Sequence, residues 1–148
     1  EECIKDALIV PAGTHTKVKP KAAHFESFKR GSFVLQCLSS ADVAQAIVVD
    51  KEKVLGIEAA EGTFELIKRC GKYEHTKDSV VVKLSKKNQD LRMDRPAIGP
   101  DTISAISSAG FAGIFIEANL TFMIHKDLTI QIANEHKLFI HAVDQEKV

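Results

Sequence analysis

Strand-like and helix-like segments alternate through the second half of the chain, and this alternation limits the possible folds more than any other feature. Apolar runs typical of strands cover residues 79–84, 112–117 and 138–143. Between them, a helix is predicted to start at Pro100 and end at Gly110, and a second to cover 127–136. Its apolar positions are Leu128, Ile130 and Ile132. Strands that alternate with helices predict an α/β fold with a sheet that is at least partly parallel.

The first residues of the chain read differently. Residues 7–10 are apolar, and 11–21 contain prolines and polar turn formers, so we predict the end of a strand followed by a linker. A helical pattern then covers 22–38, although Gly31 interrupts it. We therefore expect residues 1–21 to be a linker or the end of a preceding domain, and 22–148 to form one domain.

Two β-rich runs follow the first helix. We predict strands at 43–49 and 54–59, joined as a hairpin by the four-residue loop 50–53. Thr63 is suited to the N-cap of a helix, and Gly71 to the position after its end. The complete prediction is a single mixed-sheet α/β domain with a β-hairpin and flanking helices.

Composition excludes several classes of partner. The chain of 148 residues has 20 Lys and Arg against 20 Asp and Glu, so no net field attracts nucleic acid. The three cysteines have no CxxC spacing, which favours a reducing, cytoplasmic location. No apolar run approaches the roughly 20 residues that span a bilayer, so we expect any membrane contact to be peripheral.

The segment at 89–96, QDLRMDRP, concentrates charge in a chain that is 45% hydrophobic. Asp90 and Asp94 are four residues apart, which places them on one side of either a helix or a strand, and Arg92 joins them if the segment is extended. Such a group can bind Mg²⁺ and a phosphate together. A surface loop of mutually neutralising salt bridges is the commoner outcome of this spacing. Its position between a strand and a helix start favours a ligand site.

A second acidic pair precedes another predicted helix start. Glu58 and Glu61 lead into Gly62 and Thr63, and both helix starts are suited to anions. The simpler alternative is a solvated strand end and a helix-start acid. Lys83 is a candidate phosphate contact, with a solubilising rim as its alternative.

Four segments in a fixed order carry a family resemblance. They are DVAQAIVV at 42–49, VLGIEAAEGT at 54–63, VVVKLSKKNQDLRMDRPAIGPDTI at 80–103 and AGFAGIFIEA at 109–118. The chain resembles the C-terminal catalytic domain of the UDP-2,3-diacylglucosamine pyrophosphatases of lipid A biosynthesis, the type unrelated to the calcineurin-like enzymes. The resemblance implies metal-dependent hydrolysis to 2,3-diacylglucosamine 1-phosphate and UMP, with Mg²⁺ or Mn²⁺ as cofactor.

The resemblance also assigns roles to residues. Asp90 and Asp94 are the expected catalytic acids, with Asp90 the more critical, and together with Glu58 they are the expected metal ligands. The expected substrate-binding residues are Gln45, Glu61, Gly62, Thr63, Lys83, Gln89 and Arg92. Family members carry an N-terminal Rossmann-like domain ahead of the linker. We therefore expect that missing domain as a partner in cis or in trans, with a homodimer as a possible assembly and peripheral contact with the inner membrane.

Two positions depart from the family pattern. Ala44 and Phe64 stand where the family typically has glycine and aspartate. A methyl group at 44 would crowd a backbone that requires positive φ or a close approach to ligand, and the loss of the acid at 64 removes a metal contact or a helix-start charge. These departures favour the alternative function, a non-catalytic remnant that binds a nucleotide or phosphosugar or pairs with another subunit.

Overall fold

A computed structural model describes residues 9–86 and 95–145 of the chain, and its main element is a six-stranded mixed sheet. The strands are β1 (Gly13–Thr14), β2 (Ala46–Asp50), β3 (Lys53–Ile57), β4 (Val80–Lys83), β5 (Ala97–Ile98), β6 (Gly113–Glu117), β7 (Phe122–Met123) and β8 (Phe139–Val143). The large sheet has the order β1-β8-β6-β4-β2-β3, and β5 pairs with β7 in a separate small sheet.

The large sheet is parallel in its centre and antiparallel toward both sides. β4, β6 and β8 run parallel, β2 is antiparallel to β3 and β4, and β1 is antiparallel to β8. The paired residues include Ala46 with Lys83, Lys83 with Ile116, Ile116 with Ala142, and Ile47 with Ile57. The ends of β3, β4, β6 and β8 and the start of β2 therefore lie at one edge of the sheet, called the carboxyl edge below.

Helices cover both faces of this sheet. They are α1 (Ala22–Ser39), α2 (Thr63–Gly71), α3 (Pro100–Ala109) and α4 (Lys126–Glu135). α1 packs on one face through Phe28 and Leu35, whereas α2, α3 and α4 bury Leu66, Ile103 and Ala133 on the other. The central strands are buried on both faces, which explains why β4 and β6 read as continuous apolar runs. The predicted mixed-sheet α/β domain is confirmed.

Helix α1 is continuous through Gly31, so the interruption expected there does not occur. A Cβ at this position would lie 3.0 Å from Val82 Cγ2 and 3.1 Å from Ile47 Cγ2. The glycine therefore allows close approach of helix and sheet, a benefit that local helix propensity does not reveal.

The hairpin has a two-residue loop, and the predicted four-residue loop is wrong. Asp50 and Lys53 belong to the strands, while Lys51 and Glu52 have φ values of 48° and 71°. Positive φ at both loop residues is the geometry that matches the twist of paired strands. The sequence lacks the Asn-Gly signal that usually marks such a turn, so the pairing of β2 with β3 outweighs the local preference.

The ends of α2 differ by one residue from the prediction. Gly62, with φ 86°, is the N-cap and Thr63 is the first helical residue. Gly71 lies inside the helix, where a Cβ would come within 2.8 Å of the Ala109 Cβ. Its absence of a side chain lets α2 and α3 approach closely. In α3, the predicted start at Pro100 and the left-handed end at Gly110 are confirmed.

Part of the stretch 9–21 is attached to the domain. Val10 is fully buried, and β1 pairs with His141 and Ala142 of β8. The division of the chain at residue 21 stays a prediction.

In α4 the buried residues are Thr129 and Ala133, whereas Leu128, one of the apolar positions of the predicted amphipathic helix, is 47% exposed. The apolar spacing of two residues used for that prediction does not match a helical repeat.

Candidate active site

Glu58 is the centre of a hydrogen-bond group at the carboxyl edge. It follows β3, and its Oε1 accepts a hydrogen bond of 3.0 Å from the Gln45 N–H. Its Oε2 accepts one of 3.0 Å from the Thr63 hydroxyl. The structure thus brings together three of the predicted site residues. Because a carboxylate oxygen accepts two bonds, each oxygen of Glu58 retains capacity for a further ligand.

The backbone before β2 lies beside this group and is strained. Ala44 has φ 69° and is buried, with only 7% of its surface exposed. Of the two reasons considered for a glycine at this family position, positive φ is therefore present, although alanine occupies it. The next residue, Gln45, accepts a backbone bond of 2.8 Å from Leu84, which ties the segment to the end of β4.

Glu61 and Gly62 lie at the entrance to α2. The Glu61 Oε1 accepts a bond of 2.7 Å from Arg69 Nη2, and its Oε2 accepts one from the Ala59 N–H. The bond from Arg69 lowers the pKa of Glu61, so the side chain is ionised at neutral pH. The space around the Gly62 Cα is open, because a Cβ there would meet no atom within 4 Å. A ligand can therefore approach the backbone at this helix start.

Lys83 ends β4 and bridges to the chain that follows residue 94. Its Nζ donates a bond of 2.9 Å to the carbonyl oxygen of Ala97. The structure therefore gives Lys83 a contact within the protein in addition to its predicted role with substrate. One of the three donors of the ammonium group is used by this bond.

Sequence reasoning missed Glu117, which ends β6 at the same edge. Its Oε1 accepts hydrogen bonds of 3.2 Å from the Ser85 N–H and 3.0 Å from the Ser85 hydroxyl. Burial raises the pKa of Glu117, and the nearby Asp144 carboxylate acts in the same direction. A charged residue closing the apolar run GIFIE was the available signal.

A cleft of about 480 Å³ opens beside this carboxylate. Its lining includes Leu35 of α1, Ala44, Leu84, Ser85, Glu117 and Leu120. A volume of this order is typical of small-molecule sites. Ala44 and Leu84 directly adjoin Gln45 and Lys83, so the cleft borders the predicted substrate-binding residues.

The remaining predicted residues lie outside the described part of the chain. They are Gln89, Asp90, Arg92 and Asp94. Within residues 9–86 and 95–145 no group of three or more His, Cys, Asp or Glu side chains is placed to hold a metal ion. The catalytic roles of the two aspartates and the metal set of Asp90, Asp94 and Glu58 stay predictions.

Phe64, at the position of a family aspartate, lies in the first turn of α2. Its ring is 45% exposed, and the Lys68 Nζ lies 5.4 Å from the ring centroid. A cation–π contact is therefore present where the family pattern has an acid.

In the described segments, no helix has both the length and the hydropathy needed to cross a bilayer.

The fold and the arrangement of these residues define an α/β protein whose candidate site lies at the carboxyl ends of its strands. Residues 11–141 match the family model described as the LpxI C-terminal domain, and the chain belongs to this family. It is 30% identical over 148 residues to the UDP-2,3-diacylglucosamine pyrophosphatase LpxI of Caulobacter vibrioides. That match covers 95% of this chain and 52% of the relative, so the chain spans about half the length of the curated relative it matches.

Proposed function

We propose that the chain is the catalytic part of an enzyme that hydrolyses the pyrophosphate of UDP-2,3-diacylglucosamine, releasing 2,3-diacylglucosamine 1-phosphate and UMP. The observation that carries the proposal is the family match over residues 11–141, which includes every residue predicted for the site. The position of Gln45, Glu58, Thr63 and Lys83 at the carboxyl edge supports it, because α/β proteins bind ligands there.

The described residues on either side of the segment that contains Asp90 and Asp94 support a common site. Ser85 and Ala97 are both held at the end of β4, through Glu117 and Lys83 respectively. The proposal places the two aspartates beside Glu58 on this basis.

The donor set fits a hard divalent cation. Glu58 keeps acceptor capacity on both oxygens, and Asp90 and Asp94 would add further carboxylates. In this proposal Asp90, Asp94 and Glu58 hold Mg²⁺ or Mn²⁺. The bound cation would offset negative charge on the phosphate oxygens as the P–O bond breaks.

The chain's own residues position the water and the substrate. Asp90 accepts a hydrogen bond from the attacking water and orients it toward the uridine-bound phosphorus. Lys83 and Arg92 offset the charge of the phosphates, and Gly62 presents backbone at the start of α2. Gln45, Glu61, Thr63 and Gln89 complete the substrate contacts in this proposal.

The assembly around the substrate is also part of the proposal. Because the chain spans about half the length of its relative, we expect the other half in cis or in trans, with a homodimer as one possible assembly. A lipid substrate favours a cytoplasmic enzyme in peripheral contact with the inner membrane.

The test measures UMP release from UDP-2,3-diacylglucosamine with Mg²⁺, Mn²⁺ or EDTA. The chain is assayed alone and with the N-terminal half of the Caulobacter relative, in parallel with Asp90→Asn and Asp94→Asn. Asp127→Asn, an exposed acid on α4, is the matched control. We expect metal-dependent release that Asp90→Asn abolishes and Asp127→Asn leaves unchanged.

Binding without hydrolysis would identify the alternative function. If folded wild-type protein releases no UMP in any combination yet binds UDP or a phosphosugar, the chain is the non-catalytic binding protein that Ala44 and Phe64 favour.

A further inference from the structure

The half-buried carboxylate of Glu117 accepts two hydrogen bonds from one residue, Ser85. Its Oε1 accepts both the backbone N–H of Ser85, at 3.2 Å, and the hydroxyl of the same residue, at 3.0 Å. Two bonds to one oxygen fix both the backbone position and the side-chain rotamer of Ser85. The contact therefore joins the chain after β4 to the end of β6.

The attachment of Ser85 matters because of its place in the chain. Ser85 follows β4 directly and is the last but one described residue before the segment 87–94. The chain beyond that segment is attached to the same strand end, because Lys83 Nζ donates to the Ala97 carbonyl at 2.9 Å. The adjoining Pro96 carbonyl accepts a bond of 2.9 Å from the Phe122 N–H. Hydrogen bonds therefore fix the chain both before and after residues 87–94.

The partial burial of Glu117 is unfavourable by itself, because partial transfer of a carboxylate away from water raises its pKa. Within residues 9–86 and 95–145, this carboxylate accepts its hydrogen bonds from the N–H and the hydroxyl of Ser85, which favours a role in positioning.

We propose that Glu117 is a positioning residue that fixes Ser85 and thereby sets where the chain carrying Asp90 and Asp94 leaves β4. This inference rests on the proposed function, since it concerns the acids assigned to that reaction. Glu117 itself contacts neither substrate nor metal in this proposal. Its effect on catalysis arises from geometry, because a misplacement of about 1 Å can cost roughly 100-fold in rate.

The test compares Glu117→Gln with Glu117→Leu in the protein joined to the N-terminal half of its relative. The glutamine keeps an oxygen that accepts both Ser85 bonds, whereas leucine removes the acceptor at similar volume. We expect Glu117→Gln to keep kcat within about threefold of wild type and Glu117→Leu to lose on the order of 10- to 100-fold in kcat with KM unchanged. Ser85→Ala, which keeps the N–H donor, should lie between them.

A second measurement does not depend on activity. Hydrogen exchange of the Ser85 amide should be as slow in Glu117→Gln as in wild type and at least tenfold faster in Glu117→Leu. Equal kcat losses in the glutamine and leucine variants, or a rise in KM at constant kcat, would overturn the inference in favour of a direct catalytic or substrate contact. An active wild type with an unaffected Glu117→Leu also overturns it, whereas an inactive wild type overturns the proposed function together with it.

Discussion

Removal of the Glu58 carboxylate should separate the structural and chemical roles of the site. In Glu58→Leu the Gln45 N–H and the Thr63 hydroxyl lose their acceptor, which the structure places 3.0 Å from each. In Glu58→Gln both bonds can persist, because the amide oxygen accepts from the backbone N–H and the amide nitrogen donates to the hydroxyl. The two variants therefore differ in hydrogen bonding, while both lack the charge.

The magnitude follows from the two bonds. Bonds to a charged acceptor contribute about 1.5–3 kcal/mol each when buried, and the half-buried position of Glu58 lowers this to about 1–1.5 kcal/mol each. We expect Glu58→Leu to reduce the free energy of unfolding by about 2–3 kcal/mol. In a chain of this size the loss corresponds to a fall in Tm of about 5–10 °C.

The assay is urea denaturation followed by circular dichroism, with Glu65→Leu on the exposed face of α2 as control. That control removes a surface pair with Lys68 at 3.9 Å and an acid in the first turn of α2, so we expect a change below about 1 kcal/mol. After Glu58→Leu, a further Thr63→Val change should cost almost nothing, because its acceptor is already absent. If Glu58→Leu has the same free energy of unfolding as Glu65→Leu, the reasoning is refuted.

The remaining predictions concern α1, the strained segment and acid stability. Gly31→Ala should lower the free energy of unfolding by about 1–2 kcal/mol in urea denaturation, because overpacking against Val82 and Ile47 exceeds the gain in helix propensity. An unchanged free energy of unfolding would show that the sheet side chains shift to accommodate the methyl group. Ala44→Gly should change the free energy of unfolding by less than about 1 kcal/mol, because the relief of positive φ is offset by the loss of the buried methyl group and by the greater entropy of the unfolded chain. Ala44→Val should lower the free energy of unfolding by more than about 1 kcal/mol in the same assay. Burial acts to raise the pKa of Asp50, but bonds from the Thr76 hydroxyl and N–H outweigh it and hold the pKa below 3.8. This stabilisation is complete above the pKa of the unfolded state and is lost as pH falls through the lower pKa of the folded state. When the free energy of unfolding is measured against pH, Thr76→Val should therefore lose less of it below pH 3.8 than wild type does. Equal losses in the two proteins would contradict the assignment.

Much of the sheet was predictable because its central strands carry an unambiguous pattern. The runs at β4 and β6 are buried on both faces, so their apolar residues are consecutive and bounded by turn signals. Pro100 and Gly110 delimit α3 by backbone chemistry that acts locally. The family pattern pointed to position 44 as one that requires either positive φ or a close approach of ligand, and positive φ is present there.

Features that depend on distant contacts were not predictable. Gly31 and Gly71 are required by close approach to the sheet and to α3, which are not visible in the sequence around them. The tight Lys51-Glu52 turn is imposed by strand pairing, and Glu117 is hydrogen-bonded to Ser85, 32 residues away. The structure brings Gln45, Glu58 and Thr63 together through hydrogen bonds that were not foreseen, and the roles of these residues stay predictions.

The position of the new oxygen in the products tests the central claim most directly. The protein, joined to the N-terminal half of its relative, is allowed to hydrolyse UDP-2,3-diacylglucosamine in water enriched in heavy oxygen, and both products are analysed by mass spectrometry. Attack on the uridine-bound phosphorus predicts that the label appears in UMP and that Asp90→Asn prevents its incorporation. Label in 2,3-diacylglucosamine 1-phosphate, or unlabelled UMP, would contradict the account.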